Sequence, residues 1–258
     1  MNSFINHLKL IVTFILFFHI AIISASTISI GEGSSIQLGT SDLISDTLEI
    51  SNLGELSWGS GNHQILDFFN LTSGISSAQS STISLSQDWH NEGVFNAGTS
   101  TVHFIDLQPL SRITGMSDFY ELVATTATLK TIEFKELTRQ NIESNLIFTG
   151  SPGNLLNITS SSSSKQAYLG LDLNASQTVD YVNVTNNHSV LQQIAPGIAD
   201  SFNSIQGTNA RGWFGTPLAF QVPTLNQFSI LLLLLITLLI TKKNIKSNKK
   251  PVIPGGNI

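Results

Sequence analysis

The sequence predicts an all-β fold for the central part of the chain, and in particular a single-stranded parallel β-helix. Between residues 27 and 215, short alternating or apolar runs of about three to seven residues recur, bounded by Gly, Ser, Asn and Asp. No window in this region keeps apolar residues at helical spacing between capping residues. Short strands separated by turn residues every ten to twenty residues or so are typical of all-β proteins.

Composition narrows the class of protein further. The chain has 258 residues, of which 11% are charged, and it contains no cysteine. This charged fraction is well below the roughly 25% of average soluble proteins, which argues against a coiled coil, a disordered polyelectrolyte and a nucleic-acid partner. The lack of cysteine excludes a disulfide scaffold, a thiolate zinc site and a cysteine nucleophile.

An N-terminal secretory signal peptide is predicted over residues 1–26. The cationic Lys9 is followed by an apolar run of 14 residues, 10–23. As a helix at ~1.5 Å per residue, this run is about 21 Å long, which is short of a ~30 Å hydrocarbon core. We therefore expect cleavage rather than a permanent anchor. The expected cleavage region consists of the small residues Ser24, Ala25 and Ser26.

A single C-terminal transmembrane helix is predicted over residues 225–241, followed by a basic cytoplasmic tail, 242–258. The helix would have 17 residues without a charge, a length of roughly 25 Å that can cross a thin bilayer. A buried core helix would leave the cations behind it unexplained. The positive-inside bias holds such cations in the cytoplasm and so sets the orientation. The cations are Lys242, Lys243, Lys246, Lys249 and Lys250.

The segment before this helix carries a resemblance to a known sorting signal. Pro223, Thr224 and Leu225, the leucine-rich run and the lysine cluster together resemble the IPTL-type C-terminal signals of Gram-negative envelope proteins, which are related to the PEP-type signals handled by exosortases. The departures are Val222, Phe228 and Ser229, where Ile, Trp and Gly are more common.

This resemblance implies a precursor held in the inner membrane. An exosortase-like protease would recognise Pro223, Thr224 and Leu225 in the linker 216–224 and pass the protein to the cell surface or beyond. The acidic residues fit export, since all seventeen lie between Glu32 and Asp200. The exported part carries a net charge of −11, which favours solubility and repels nucleic acid and anionic lipid.

Internal similarity supports the β-helix. Residues 67–72 and 118–123 share Asp, Phe, an aromatic residue and Leu at matching positions 51 residues apart, and residues 132–138 are a looser copy. Coils of ~20 residues that stack and bury one apolar column would give about nine coils. We expect the residues before about Leu43 and after about Pro196 to cap the two ends.

A second resemblance concerns residues 88–104, which contain Trp89, Asn91, Gly93 and Phe95. This segment is similar to the W-x-N-x-G-x-F-x-x-G-x-S-T-V-x-F element of large bacterial surface proteins with adhesin-like repeats, which are taken to form β-helices. Trp89 and Phe95 are an even number of residues apart and are therefore expected to share an inward face. Asn91 is expected to form a hydrogen bond with the equivalent Asn of another coil or with a turn backbone. The alternative architecture is a pair of β-sandwich domains.

The sequence shows few candidates for chemistry. His90 and His103 could bind a metal if the chain turned back between them, but as solvated side chains they need no ligand. The carboxylates of a glycan-degrading β-helix would have to come from Asp67, Asp118, Asp172 and Asp180, none of which lies in a recognised motif. We expect no enzymatic activity, no catalytic residue, no metal and no cofactor.

The interpretation is an exported, structural or adhesive surface protein whose expected partners are the membrane, an exosortase-like enzyme, and surface glycans or extracellular matrix. One alternative is a secreted glycan-degrading enzyme. The other is a type I membrane glycoprotein, because five acceptor triplets occur. They begin at Asn70, Asn157, Asn174, Asn183 and Asn187.

Overall fold

The structure is a computed structural model that describes residues 26–215. This part of the chain folds as a parallel β-solenoid, in which each strand pairs in parallel with a strand of the coil before or after it. The predicted parallel β-helix is therefore confirmed and the β-sandwich alternative is wrong.

The solenoid contains twenty-two strands and one short 3-10 helix, Ala199–Phe202. Most strands have two to five residues because the chain bends at a corner between them. The strands are β1 (Ser26–Ile30), β2 (Ser35–Gln37), β3 (Leu43–Ile44), β4 (Leu48–Asn52), β5 (Glu55–Ser57), β6 (Asn62–Ile65), β7 (Asp67–Asn70), β8 (Ile75–Ser77), β9 (Thr82–Leu85), β10 (Trp89–Asn91), β11 (Val94–Asn96), β12 (Thr101–Phe104), β13 (Leu110–Gly115), β14 (Ser117–Thr125), β15 (Lys130–Phe134), β16 (Arg139–Thr149), β17 (Leu156–Ser160), β18 (Ala167–Leu171), β19 (Ser176–Asp180), β20 (Val182–Val184), β21 (Asn187–Leu191) and β22 (Ile205–Gln206).

Three sheets form the walls of the solenoid. Sheet A has nine strands in the order β1-β4-β7-β10-β13-β15-β17-β20-β22, one from each coil. Sheet B has four strands, β2-β5-β8-β11, and sheet C runs from β3 through β6, β9, β12, β14, β16 and β18 to β21, with β19 beside β16. The one-per-coil strands of sheet A confirm about nine coils.

The length of a coil varies along the solenoid. Equivalent residues are 18 positions apart at Asn52 and Asn70 and 26 positions apart at Asn157 and Asn183. The longer coils contain longer strands, such as β14 with nine residues and β16 with eleven, and the register between these two strands shifts between Phe119 and Glu121. The expected ~20 residues per coil is thus near the lower end of what the structure contains.

Apolar side chains of alternate residues fill the interior. On sheet A, Ile50, Phe68 and Trp89 stand opposite one another in successive coils, and all three are at most 1% exposed. The Phe68 ring lies 5.4 Å from the Trp58 ring and 4.7 Å from the Trp89 ring. Because parallel coils place the same face inward every time, these side chains form one continuous core.

The indole N–H groups in this core have hydrogen-bond partners. The indole nitrogen of Trp58 donates to Ser76 Oγ at 2.8 Å, and that of Trp89 donates to Ser117 Oγ at 3.0 Å. Phe95 packs against Trp89 with ring centroids 4.8 Å apart. Phe95 and Trp89 do contact each other, but they lie on β11 and β10 rather than on one strand, because the chain bends between them.

The two ends of the described solenoid differ. At the C-terminal end, Trp213 and Phe214 are buried, and Trp213 donates from Nε1 to Asn187 Oδ1 at 3.0 Å. This fits the expected cap, although β22 within it still continues sheet A. At the N-terminal end, residues 26–42 form β1 and β2 of an ordinary coil rather than the expected cap, and the residues before Ser26 lie outside the described part.

Candidate functional site

Most of the residues predicted for export and sorting lie outside the described residues. Ser26 begins β1 and pairs with Leu48. Within residues 26–215, the structure contains no helix with the length and apolar character needed to span a membrane. The predicted residues outside the described part are Ser24, Ala25, Pro223, Thr224, Leu225, Lys242, Lys243, Lys246, Lys249 and Lys250.

The two candidate histidines lie on different sheets. His90 belongs to β10 of sheet A, where its Nδ1 is 2.6 Å from Thr114 Oγ1. His103 belongs to β12 of sheet C, where its Nε2 is 3.2 Å from Thr125 Oγ1. The turn between them therefore does not bring the imidazoles face to face. Among residues 26–215, no three His, Asp or Glu side chains form a group that could hold a metal ion.

The four candidate carboxylates are also dispersed. Asp67 lies on β7 of sheet A, whereas Asp118 lies on β14 of sheet C and accepts from Asn141 Nδ2 at 2.5 Å. Asp172 follows β18, which pairs with the first half of the long strand β16. Asp180 ends β19, which pairs with the second half of β16. These four residues do not form the convergent acid groove that glycan cleavage requires.

One of these four residues, Asp67, belongs to a group of charged residues that do come together on the outside of sheet A. We call this group the charged row, and it consists of Glu49, Asp67, Asp88, Arg112 and Glu133. Glu49 pairs with Asp67, and Arg112 pairs with Glu133, in adjacent strands. The guanidinium of Arg112 is 3.6 Å from Asp88 Oδ2 and 3.4 Å from Glu133 Oε1.

The carboxylates of the charged row hold neighbouring coils together. Asp67 Oδ1 accepts the backbone N–H of Asp88 at 2.7 Å, and Asp88 Oδ1 accepts the backbone N–H of Arg112 at 2.9 Å. Asp67 and Asp88 thus each satisfy a donor in the next coil. Asp residues at this corner serve a structural purpose, since an unpaired backbone N–H near the core is costly.

Within the charged row, the pKa of Asp67 is raised. Burial raises its pKa, and the nearby charges of Asp88 and Glu49 add to that effect, although the hydrogen bond from the Asp88 backbone opposes it. The residue is only 7% exposed. A buried carboxyl with a raised pKa can act as a general acid. However, its Oδ1 already accepts a hydrogen bond from the backbone of the next coil, which leaves Asp67 little access to a substrate.

A buried lysine, which belongs to none of the predicted sites, lies inside the solenoid. Lys130 is 0% exposed, and its ammonium donates to Gln108 O at 2.8 Å and to Ser111 Oγ at 3.1 Å. Burial lowers its pKa to about 8, and Asp106 and Asp88 oppose this only in part. Lys130 is two residues from Ile132 and four from Phe134, both of which face inward, and this alternate spacing is the sequence signal that Lys130 also faces inward.

Asp106, near Lys130, closes a corner of sheet C. It accepts hydrogen bonds from the hydroxyls of Thr126 and Thr128, both at 2.8 Å, and from the backbone of Ala127 at 2.9 Å. Burial alone would raise the pKa of Asp106, but these hydrogen bonds outweigh burial and lower it. The arrangement stabilises a turn and leaves no open position for a ligand at this carboxylate.

The glycan acceptor triplets differ in accessibility. Asn70 and Asn187 are 0% exposed, so a folded chain cannot carry glycans on them. Asn183 donates to Asn157 Oδ1 at 3.0 Å on the outer face of sheet A. Asn174 is exposed. The triplets therefore include at least two that serve the interior of the fold.

Comparisons with known proteins do not assign the chain to a family. No protein-family model, no curated protein and no solved structure matches it. A function for the chain therefore has to be argued from its own residues and their geometry.

Proposed function

We propose that the chain is an exported, non-enzymatic surface or envelope protein with a structural or adhesive role. The observation that carries this proposal is the order of charge and apolarity along the sequence. An apolar segment at residues 10–23 precedes a body with a net charge of −11, and a second apolar segment at residues 225–241 is followed by five lysines. This order matches export of the body and retention of its C-terminal tail.

The described body supports a structural role in two ways. Its interior is filled with side chains, so the solenoid is a solid scaffold. Its most closely associated acids, in the charged row, link one coil to the next. A repeat scaffold of this kind presents long, regular outer faces, which suit display and adhesion.

The sorting step is the second part of the proposal. Pro223, Thr224 and Leu225 are the residues we propose for recognition by an exosortase-like protease, with residues 225–241 as the temporary anchor. Release would then deliver the body to the cell surface or the surrounding matrix. The remaining partners that we propose are surface glycans or matrix components.

Cell fractionation tests the proposal directly. The full-length chain carrying an epitope in the Ser161–Ser164 segment, a surface loop, should be found in the envelope or on the surface, where an externally added antibody detects it. A variant that lacks residues 225–258 should appear in the medium or periplasm instead. Full-length protein that stays soluble in the cytosol, with both ends intact, would overturn the proposal.

A glycan-degrading enzyme is the competing function, and the charged row is where it would have to act. We expect no release of reducing sugar when the full-length protein is incubated with polyuronates or neutral polysaccharides. Release that disappears in an Asp67→Asn variant, while the variant keeps its fold, would establish the enzyme instead.

A further inference from the structure

One column of side chains on the outer face of sheet C differs in charge from the rest of the body. We call it the arginine–tyrosine column, and it consists of Arg139, Tyr168, His188 and Arg211. Arg139 pairs with Tyr168, Tyr168 with His188, and His188 with Arg211, each in the next coil. Arg139, Tyr168 and His188 are partly exposed, and Arg211 is exposed.

The rings in the middle of the column lie against each other. The centroids of Tyr168 and His188 are 5.7 Å apart, with a tilt of 46°. Burial lowers the pKa of His188, and the charge of Arg211 lowers it further. At neutral pH the column therefore presents a neutral aromatic centre between two guanidinium groups.

These two arginines have no carboxylate partner in the part of the chain that the structure describes. By contrast, Arg112 lies between Asp88 and Glu133, and Lys135 bonds to Glu136. A body with seventeen acids and six bases offers many possible partners. Two unpaired guanidiniums aligned in one column are therefore a feature that needs an explanation.

The neighbourhood of Arg139 contains further unused hydrogen-bonding capacity. Gly170 has no side chain, and the Arg139 guanidinium and the Asn141 amide lie over it. A Cβ at Gly170 would be 2.6 Å from Arg139 Nη2 and 2.5 Å from Asn141 Oδ1. Arg139 Nε and Asn141 Oδ1 are buried and have no hydrogen-bond partner among residues 26–215. This notch thus holds one donor and one acceptor that the fold does not satisfy.

We propose that the arginine–tyrosine column binds an acidic oligosaccharide that carries carboxylates on more than one sugar. The proposal rests on the surface role proposed above and names its ligand class. Guanidinium groups bind carboxylates through two parallel hydrogen bonds. Tyr168 offers an aromatic body with a polar tip, which suits the apolar face and the hydroxyls of a sugar ring.

The spacing of the column determines the length of the ligand. Strands in a sheet are about 4.8 Å apart, so the Cα atoms of Arg139 and Arg211 are separated by three spacings, or about 14 Å. One carboxylate cannot bind both arginines at that separation. The ligand must be extended, with its charges at two points and uncharged ring surface between them.

The acids near the column select against a dense polyanion. Asp118 is bonded to Asn141, and Glu143 and Asp172 lie two positions beyond Asn141 and Gly170 along the chain. Together with the net charge of the body, these carboxylates repel a ligand with one charge at every short interval, such as nucleic acid. Sparse carboxylates that contact only the arginines avoid most of this repulsion.

Titration of the full-length, detergent-solubilised protein tests the site. A hyaluronan hexasaccharide, which carries a carboxylate on every second sugar, is the acidic probe, and cellohexaose is the neutral one. We expect binding of the hyaluronan hexasaccharide only, and weaker binding as salt is added. Arg139→Gln and Arg211→Gln should each lower the affinity by roughly tenfold or more, since each removes hydrogen bonds between charged groups. The hyaluronan hexasaccharide should also raise the pKa of His188, measured from its ring proton signals.

Arg112→Gln is the matched control, because that arginine is occupied by Asp88 and Glu133. It should leave the affinity unchanged, and circular dichroism should show that all three variants are folded. Equal binding of both probes, no binding at millimolar concentration, or wild-type affinity in Arg139→Gln would overturn the inference. A surface-located protein with any of these results would still satisfy the proposed function, which fractionation tests separately.

Discussion

Asn52 and Asn70 stand in register on neighbouring coils, and the amide of Asn52 donates to Asn70 Oδ1 at 2.8 Å. Asn70 in turn donates to Asn91 Oδ1 at 2.8 Å, and all three are at most 3% exposed. Each amide also bonds to the backbone of the following corner, as Asn70 does to Val94 O at 3.0 Å. This asparagine ladder therefore fixes both the register of the coils and the position of their bends.

Removing the middle rung should destabilise the solenoid. Asn70→Ala leaves the buried Asn91 Oδ1 without its donor and the buried Asn52 amide without one of its acceptors. We expect a loss of about 2 to 4 kcal/mol in the free energy of unfolding, because each unsatisfied buried group costs about 1 to 3 kcal/mol. Denaturant unfolding of the full-length protein measures it. Asn96→Ala is the control, since Asn96 is exposed and should change little. Equal effects of the two substitutions would contradict the ladder's role.

The glycines at these bends allow close contact between coils. A Cβ on Gly93 would lie 2.2 Å from Gly74 O and 2.5 Å from Leu71 O. Gly93→Ala should therefore cost about 1 to 3 kcal/mol, the range for forced overpacking. Gly31→Ala is the matched control, because a Cβ there would meet nothing within 4 Å. A thermal melt in which both variants match the wild type would show that the coils can separate at no cost.

The fold class could be predicted from the sequence because, in most coils, apolar residues occupy the alternate strand positions that face inward. The apolar runs at 48–50, 83–85 and 129–134 correspond to β4, β9 and β15. This rule does not predict the strand β8, because in β8 a polar residue faces inward and an apolar residue faces outward. Its inward residue is Ser76, which accepts from the Trp58 indole, whereas Ile75 is 40% exposed.

Corners are harder to predict than strands. The run 65–71 reads as one strand, but the structure has β6 and β7 with a bend at Leu66. Similarly, the run 179–184 is divided at Tyr181, whose φ is +51°. An apolar residue at a corner looks like part of a strand in the sequence. Only the hydrogen bonds to the next coil reveal that the chain turns there.

The same limit applies to the candidate sites. Asp67 is a candidate because of its residue type, but its neighbours Asp88 and Glu49 depend on how many residues separate successive coils. Arg139 and Tyr168 are 29 positions apart in the sequence and become neighbours only through strand pairing. Spacing between coils varies, so residues that share a column cannot be found by a fixed period.

Asp67 should make stability depend on acidic pH. Its folded-state pKa is raised, so the folded protein holds this proton more tightly than the unfolded chain. The resulting contribution to the free energy of unfolding is fully present below the unfolded-state pKa of Asp67 and is lost as the pH rises through its folded-state pKa.

Two variants at Asp67 test this dependence. Asp67→Asn keeps an acceptor for the Asp88 N–H and should be more stable than wild type at pH 7. Asp67→Ala removes that acceptor and should be about 1 to 2 kcal/mol less stable than Asp67→Asn. Urea unfolding of the three proteins at pH 3 and pH 7 checks the order; a wild type as stable as Asp67→Asn at pH 7 would contradict the raised pKa.

The lysines of the tail should control retention. Replacing Lys242 and Lys243 with Glu reverses the charge next to the predicted helix, which weakens its orientation signal. We expect the variant to be poorly retained or poorly processed, as shown by immunoblots of membrane and medium fractions. Lys165→Glu changes an exposed lysine of the body and serves as the control. Unchanged fractionation of the tail variant would argue against the proposed role of these lysines.

Lys130 should make stability rise at alkaline pH. Its pKa falls from 10.5 to about 8 on folding, because burial disfavours the charged ammonium. Between about pH 8 and pH 10.5, the unfolded chain binds this proton more tightly than the folded protein does. Stability therefore increases across that window, by at most about 3 kcal/mol from this residue.

Lys130→Met isolates this contribution from other groups that titrate in the same range. The variant keeps a side chain of similar length in the core but has no proton to lose. We expect the difference in unfolding free energy between wild type and variant to shift in favour of wild type from pH 8 to pH 10.5. Lys165→Met, at an exposed position, should give a difference that does not change with pH. If the Lys130→Met difference is equally flat, the ammonium is not desolvated in the folded protein, and the buried position assigned to Lys130 would have to be abandoned.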